Sequence, residues 1–213
     1  MQIAQIVLTP AKPAYAGGTW HLEGMVNEHI AATLISYLDC DNITDSALSF
    51  RGKMGEPHDY EQNDRPGVEA VYGVRDEESR SMPMGAVPMC AGRTICFPNK
   101  LQHRVSPFEL RDASRKGVRT IIVFFVVDPS TRVPSTRTIP LQQEAWWWPT
   151  GSRSTLRAAL PPDLAQRIER NAGECMSRAE AVHHRAALME ERSHKVERSN
   201  REDYEEAFSL CEH

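Results

Sequence analysis

No apolar run in the chain is long enough to cross a bilayer: the longest, I-I-V-F-F-V-V at 121–127, has the length of a buried strand. Basic residues are not in excess either. With 25 Lys and Arg against 29 Asp and Glu the formal net charge is −4, and no basic stripe interleaves with aromatics. Neither nucleic acid nor an acidic membrane surface is therefore an expected partner. Cysteine is sparse and unpatterned. Cys40, Cys90, Cys96, Cys175 and Cys211 are odd in number and never form C-x-x-C, so we expect reduced structural thiols rather than a disulfide framework or a cysteine zinc site. The opening M-Q-I-A-Q-I-V-L-T-P carries neither the basic flank nor the long apolar region of a secretory signal, so the expected location is intracellular, in the cytoplasm.

The remaining composition is that of an ordinary globular protein. Its 213 residues, 40% hydrophobic and 25% charged, suffice for one well-formed core plus an appendage. Character changes near residue 150. Before it, short β-rich runs alternate with turn-rich stretches: I-V-L at 6–8, H-I-A-A-T-L-I-S-Y-L at 29–38, R-T-I-C-F at 93–97, Q-H-R-V-S-P-F-E-L at 102–110 and R-T-I-I-V-F-F-V-V-D-P at 119–129. The alanines in 29–38 also permit a helix. Many short strands without intervening helices suggest a sandwich or barrel. From Arg51 to Met84 the chain is polar and aperiodic, which predicts a long surface excursion of the kind that lines or covers sites.

After the W-W-W-P stretch at 146–149 the pattern turns helical. P-P-D-L-A-Q-R-I-E-R begins with prolines suited to a first turn, and S-R-A-E at 177–180 fits a capping box. The expected fold is mainly β with C-terminal helices: a β domain over 1–150, and a helical extension over 151–213 packed on it. The tryptophans would pin that extension to the sheet. His29 and His58 read as surface or strand positions, and His183 and His184 as solvated positions on a charged helix.

One constellation carries chemistry. T-W-H-L-E-G-M at 19–25 sets His21 and Glu23 two positions apart, and on a strand such a pair shares one face. H-x-E alone is weak evidence. Downstream, F-P-N-K-L-Q-H-R-V at 97–105 supplies His103 on another strand. Two histidines and a carboxylate form the facial triad of non-haem Fe(II) enzymes, although catalytic zinc also accepts this set. Arg119 opens the next strand and could clamp a carboxylate in bidentate fashion; the plainer alternative is a strand-end arginine at the surface.

The order H-x-E, then G-R-T-I-C-F-P-N-K-L-Q-H-R-V-S-P-F, then G-V-R-T-I-I-V-F-F-V-V-D-P resembles Fe(II)/2-oxoglutarate-dependent oxygenases. The chain looks closest to the fungal family known as domain of unknown function 4246. The resemblance extends over G-G-T-W-H-L-E-G-M-V-N-E-H-I-A-A-T, D-N-I-T-D-S-A-L-S-F-R, Y-E-Q-N-D, Q-Q-E-A-W-W-W-P and the final C-E-H. It implies a double-stranded β-helix, a cupin-like jelly roll. His21, Glu23 and His103 would ligate Fe(II), Arg119 would bind 2-oxoglutarate, and a substrate would be oxidised with dioxygen as the co-substrate is decarboxylated. Asn27, Tyr37, Arg51 and Tyr72 are candidate contacts to the ligands or the substrate.

The chain departs from the oxygenase pattern in three places. Glutamate stands where aspartate is commoner. The gap from His103 to Arg119 is long, as if D-A-S-R-K-G added a turn, which keeps Arg111 and Arg115 as rivals for the anion. The family's long segment ahead of L-T-P is missing, so the chain reads as an N-terminally truncated relative. Two alternatives remain: a non-catalytic β-sandwich binding protein that retains the triad, and a metal-dependent hydrolase or cupin-type isomerase without 2-oxoglutarate.

Overall fold

The computed structural model describes residues 1–147, 152–171 and 175–210. Trp148, Pro149, Cys211 and the C-E-H ending lie outside them. The chain divides into two compact units, one of Met1–Thr131 with His194–His213, the other of Arg132–Ser193.

Among the described residues the first unit holds nine strands: β1 (Gln2–Leu8), β2 (Ala14–Tyr15), β3 (Ile30–Asp41), β4 (Ser46–Lys53), β5 (Ser81–Met89), β6 (Thr94–Pro98), β7 (Gln102–Val105), β8 (Phe108–Glu109) and β9 (Gly117–Val127). They form a sheet in the order β1-β9-β3-β6, a second in the order β5-β4-β7, and the short pair β2-β8. Neighbours in these sheets run antiparallel. Alternation along the strands explains the packing. On β3, Thr33, Ile35 and Tyr37 point inward, and on β9 so do Gly117, Arg119 and Val123.

One buried cluster joins Ile35, Tyr37, Phe97 and Val123 of the first sheet to Leu48 and Met89 of the second, so the two sheets pack face to face. A second cluster, Leu8, Ile43, Phe108 and Leu110, closes one end. The alanines of 29–38 do not make a helix. β-Branched and aromatic residues at every second position, paired to β6 and β9 on both sides, outweigh them.

Two expectations need correction. The stretch 51–84 is not a structureless excursion: it completes β4, forms α1 (Arg65–Tyr72) and begins β5. Its own core of Val68 and Val74 packs with Phe208 and Leu210. Asp64 caps α1 by accepting from the Gly67 amide at 3.0 Å, and Pro66 occupies the first turn where no amide is needed. The run 102–110 is two strands rather than one. Pro107 lacks an N–H, and the Ser106 amide turns to the Ala47 carbonyl at 2.9 Å.

The expected C-terminal helices are present: after the short α2 (Glu144–Trp147), the described residues of 151–213 hold α3 (Ser152–Ala159), α4 (Pro162–Asn171) and α5 (Arg178–Ser199), followed by a wide π-type turn over Asn200–Glu205. The capping box is present. The Ser177 amide donates to Glu180 Oε2 at 2.7 Å, and the Glu180 amide donates to Ser177 Oγ at 3.3 Å. In the second unit Arg157 binds Glu169 through two bonds of 2.8 Å. No helix among the described residues is long and apolar enough to cross a membrane.

Candidate metal centre

The two histidines meet because their backbones do. His21 and His103 form an isolated antiparallel bridge, with amide-to-carbonyl distances of 3.2 Å from His21 to His103 and 3.1 Å in return. Side chains of such a directly opposed pair emerge on one face, and the two imidazole centroids stand 4.4 Å apart. Around His103, 3% exposed, the ring of Phe97 sits 4.8 Å away and Phe50 6.3 Å away.

Glu23 arrives differently from the expectation. It is not on a strand; His21 makes one bridge, and the chain then bends. Asn99, in the turn before β7, holds the bend from both sides. Its Oδ1 accepts from the Glu23 amide at 2.8 Å, and its Nδ2 donates to the carbonyls of Glu23 and Ile30, each at 3.0 Å. Gly24 completes the turn at φ +68°, where a Cβ would stand 2.7 Å from Ile30 Cδ1. The convergence of His21 and Glu23 therefore comes from an amide clamp and a left-handed glycine, not from a strand pleat.

The resulting donor set is compact. One ligand atom from each of His21, Glu23 and His103 lies within 4.8 Å of the others. His103 Nε2 is 3.3 Å from Glu23 Oε1, close to the roughly 3 Å separation of neighbouring ligands at right angles on bonds of about 2.1 Å. His21 Nδ1–H donates to the Thr19 carbonyl at 2.8 Å, which leaves Nε2 with its lone pair for a cation. Burial, and then the nearby His103, push the His21 pKa down, which favours the neutral ring that a metal ligand needs. Nitrogen, nitrogen and oxygen donors without thiolate suit a divalent first-row metal.

Arg119 is not a strand-end surface residue. It is 4% exposed and points between the sheets, its guanidinium 4.6 Å over the Phe108 ring and its Nη1 3.6 Å from Met89 Sδ. Among the described residues no carboxylate lies within ion-pair distance of it. Burial lowers its pKa, while Tyr37, Tyr15 and Cys40 act in the opposite sense. A buried, uncompensated guanidinium is costly unless an anion joins it. Met89 belongs to the same buried cluster as Phe97, which packs on His103. The rival arginines are committed at the surface: Arg111 to Asp45 at 2.9 Å, Arg115 to Asp41 at 3.8 Å. The added turn at Asp112–Lys116 is fastened by Asn42, whose Nδ2 donates to the carbonyls of Asp112, Arg115 and Lys116.

Of the other candidates, Tyr37 is buried near Arg119, and burial raises its pKa to about 12. Arg51 lies behind His103, its Nε donating to Gln102 Oε1 at 2.7 Å. Asn27 is exposed in a short helical turn, Val26–Glu28. The Tyr72 hydroxyl donates to the His58 carbonyl beside the third cluster. His29, His183 and His184 are exposed. Sequence reasoning missed Asn99 as the clamp on Glu23, although it stands inside the quoted F-P-N-K-L-Q-H stretch.

A profile of the family described as "Protein of unknown function (DUF4246)" matches residues 1–150, and the chain belongs to that family. No curated protein matches. Among solved structures, the selenomethionine-labelled Fe(II)/α-ketoglutarate-dependent dioxygenase TqaL aligns at 19% identity and TM-score 0.36, over 62% of this chain and 41% of its own. Hydroquinone 1,2-dioxygenase PnpCD, in complex with Cd2+ and 4-hydroxybenzonitrile, aligns at 15% identity and TM-score 0.27, over 60% of this chain and 58% of its own. This chain thus spans less than two thirds of either. Similarity at that level adds no weight to what the residues themselves supply.

Proposed function

We propose that the chain is a non-haem Fe(II)/2-oxoglutarate-dependent oxygenase built on a double-stranded β-helix. The observation that carries this is the pairing of a convergent His21–Glu23–His103 donor set with a buried Arg119 that has no carboxylate partner among the described residues, inside one β-sandwich. The strand orders β1-β9-β3-β6 and β5-β4-β7, with the His21 bridge continuing past β7, agree with jelly-roll winding.

His21 Nε2, His103 Nε2 and a Glu23 oxygen would hold the iron, a donor set that leaves positions open for co-substrate and dioxygen. Bound iron supplies the activation of dioxygen that couples decarboxylation of 2-oxoglutarate to oxidation of a substrate. The protein does the rest. Thr19 fixes the His21 tautomer through the bond to Nδ1. Asn99 fixes the carboxylate's approach by clamping the backbone that carries it. Arg119 would receive the carboxylate of 2-oxoglutarate remote from the iron, at a buried position where a bidentate pair is strong. Phe50, Phe97 and Met89 keep water from that interior.

The test is succinate release. With Fe(II), 2-oxoglutarate and air, the purified protein is expected to form succinate without added substrate, as a slow uncoupled reaction. His103→Ala should abolish it. An iron-loaded protein that forms none would contradict the proposal and favour a binding or hydrolytic role.

A further inference from the structure

Three hydrogen bonds join one short stretch of chain to the sequence neighbours of the three ligands. Lys195 Nζ donates to the carbonyl of Gly24, beside Glu23, at 3.3 Å. Asn200 Nδ2 donates to the carbonyl of Trp20, beside His21, at 3.1 Å. Gln102, beside His103, donates from Nε2 to Asn200 Oδ1 at 2.9 Å. Asn200 thus spans the two histidine-bearing segments with opposite ends of one amide, Nδ2 donating to one and Oδ1 accepting from the other.

The surroundings hold that amide firmly. Arg51, 7% exposed, donates to Asn200 Oδ1 at 3.1 Å and to Gln102 Oε1 at 2.7 Å, while Gln102 is 1% exposed. The Arg51 guanidinium lies 4.8 Å from the Trp20 ring and 4.9 Å from the Tyr204 ring. The chain here leaves regular helix for a π-type turn at Asn200–Glu205, an irregularity that recurs at functional sites. By contrast, the bridge between His21 and His103 consists of two hydrogen bonds near the long end of the usual range, and cannot fix the spacing of the two segments alone.

We propose that residues 195–205, outside the 1–150 stretch that the family profile matches, form a positioning strap for the metal centre, with Asn200 as its central residue. The strap sets how far apart the His21 and His103 backbones stand and how Glu23 enters, so metal affinity and coordination geometry depend on it. This rests on the metal-site assignment above.

The test uses Co(II) alone, whose visible absorption reports coordination geometry, with affinity measured by titration. Asn200→Asp keeps the acceptor for Gln102 and Arg51 but loses the donor to Trp20. Lys195→Met removes the Gly24 contact. Lys53→Met breaks the 2.8 Å pair with Asp203, which anchors the same segment to β4 without touching a ligand's neighbour. All three make the region more negative, which by itself favours a cation. A weaker affinity therefore reports lost positioning.

The expectation is a drop of about 10- to 100-fold for Asn200→Asp and Lys195→Met, with a shifted visible band, and parental behaviour for Lys53→Met. Melting curves verify that each variant folds; should Asn200→Asp not fold, Lys195→Met decides. Parental binding and spectrum in Asn200→Asp and Lys195→Met would overturn the strap while leaving the metal centre standing. Equal weakening in Lys53→Met would also overturn it, by showing a general effect of loosening. A parent that takes up no Co(II) would refute the metal centre itself, and the strap with it.

Discussion

Arg119 is the residue whose environment asks most for a ligand. A guanidinium 4% exposed, resting on Phe108 and Met89 rather than on a carboxylate, bears a desolvation cost that a bound dianion would offset. Arg119→Ala is therefore expected to raise the Kd for 2-oxoglutarate about 10- to 100-fold, the equivalent of a charge-assisted contact of about 1.5–3 kcal/mol, while Fe(II) affinity stays near parental. Calorimetric titration of each variant with both ligands checks it. Tyr37, beside it, carries a pH signature. Its folded pKa is raised to about 12 from 10.0 by burial, so the unfolded chain releases this proton first. The stability it contributes is whole below pH 10 and is lost as the pH climbs toward about 12. The stability gap between the parent and Tyr37→Phe, from urea midpoints, should accordingly narrow across that window. The candidate donors were legible in the sequence because histidines are few, 8 in the chain, and two of them stand in H-x-E and L-Q-H. The burial of Arg119 was not, since strand alternation gives two faces and only the partner sheet decides which is inside.

Among elements, the turn that carries Glu23 depends on Asn99 and Gly24, neither of which is chemically reactive. Removing the clamp with Asn99→Ala is expected to cost iron affinity about 10- to 100-fold, with the fold retained, by Fe(II) titration and far-ultraviolet circular dichroism. The helix α5 offers an independent check on local structure. Ser177→Ala should destabilise by about 1 kcal/mol by removing the side-chain half of its capping box, as measured by thermal unfolding. That cap was readable because S-x-x-E is a local code. The elements hidden in 51–84 were not, because their sequences carry breakers that tertiary context tolerates. Pro83, Gly85 and Pro88 interrupt the pattern of β5, yet among the described residues β5 is an edge strand paired with β4 alone, where missing donors cost little. In α1, R-P-G-V-E-A-V-Y is too short to show a helical period, and its buried Val68 finds its partners Phe208 and Leu210 more than a hundred residues away.

At the scale of the whole molecule, the mainly β character with helices after it was written in the spacing of β-branched runs, whereas the pairing order was not. Pairing of β1 with β9 and of β3 with both β6 and β9 joins segments far apart in the chain, and local sequence carries no register for such contacts. The same long-range folding brings His103 to His21 and returns residues 195–205 to their neighbours. The central claim is that this folding makes one metal site from side chains that are otherwise far apart. Anaerobic Fe(II) calorimetry on the parent and on His21→Ala tests it most directly. The account predicts about one Fe(II) bound per parent chain and a loss of that binding in His21→Ala. A parent that binds no Fe(II), or a His21→Ala chain that binds it as tightly as the parent, would contradict it.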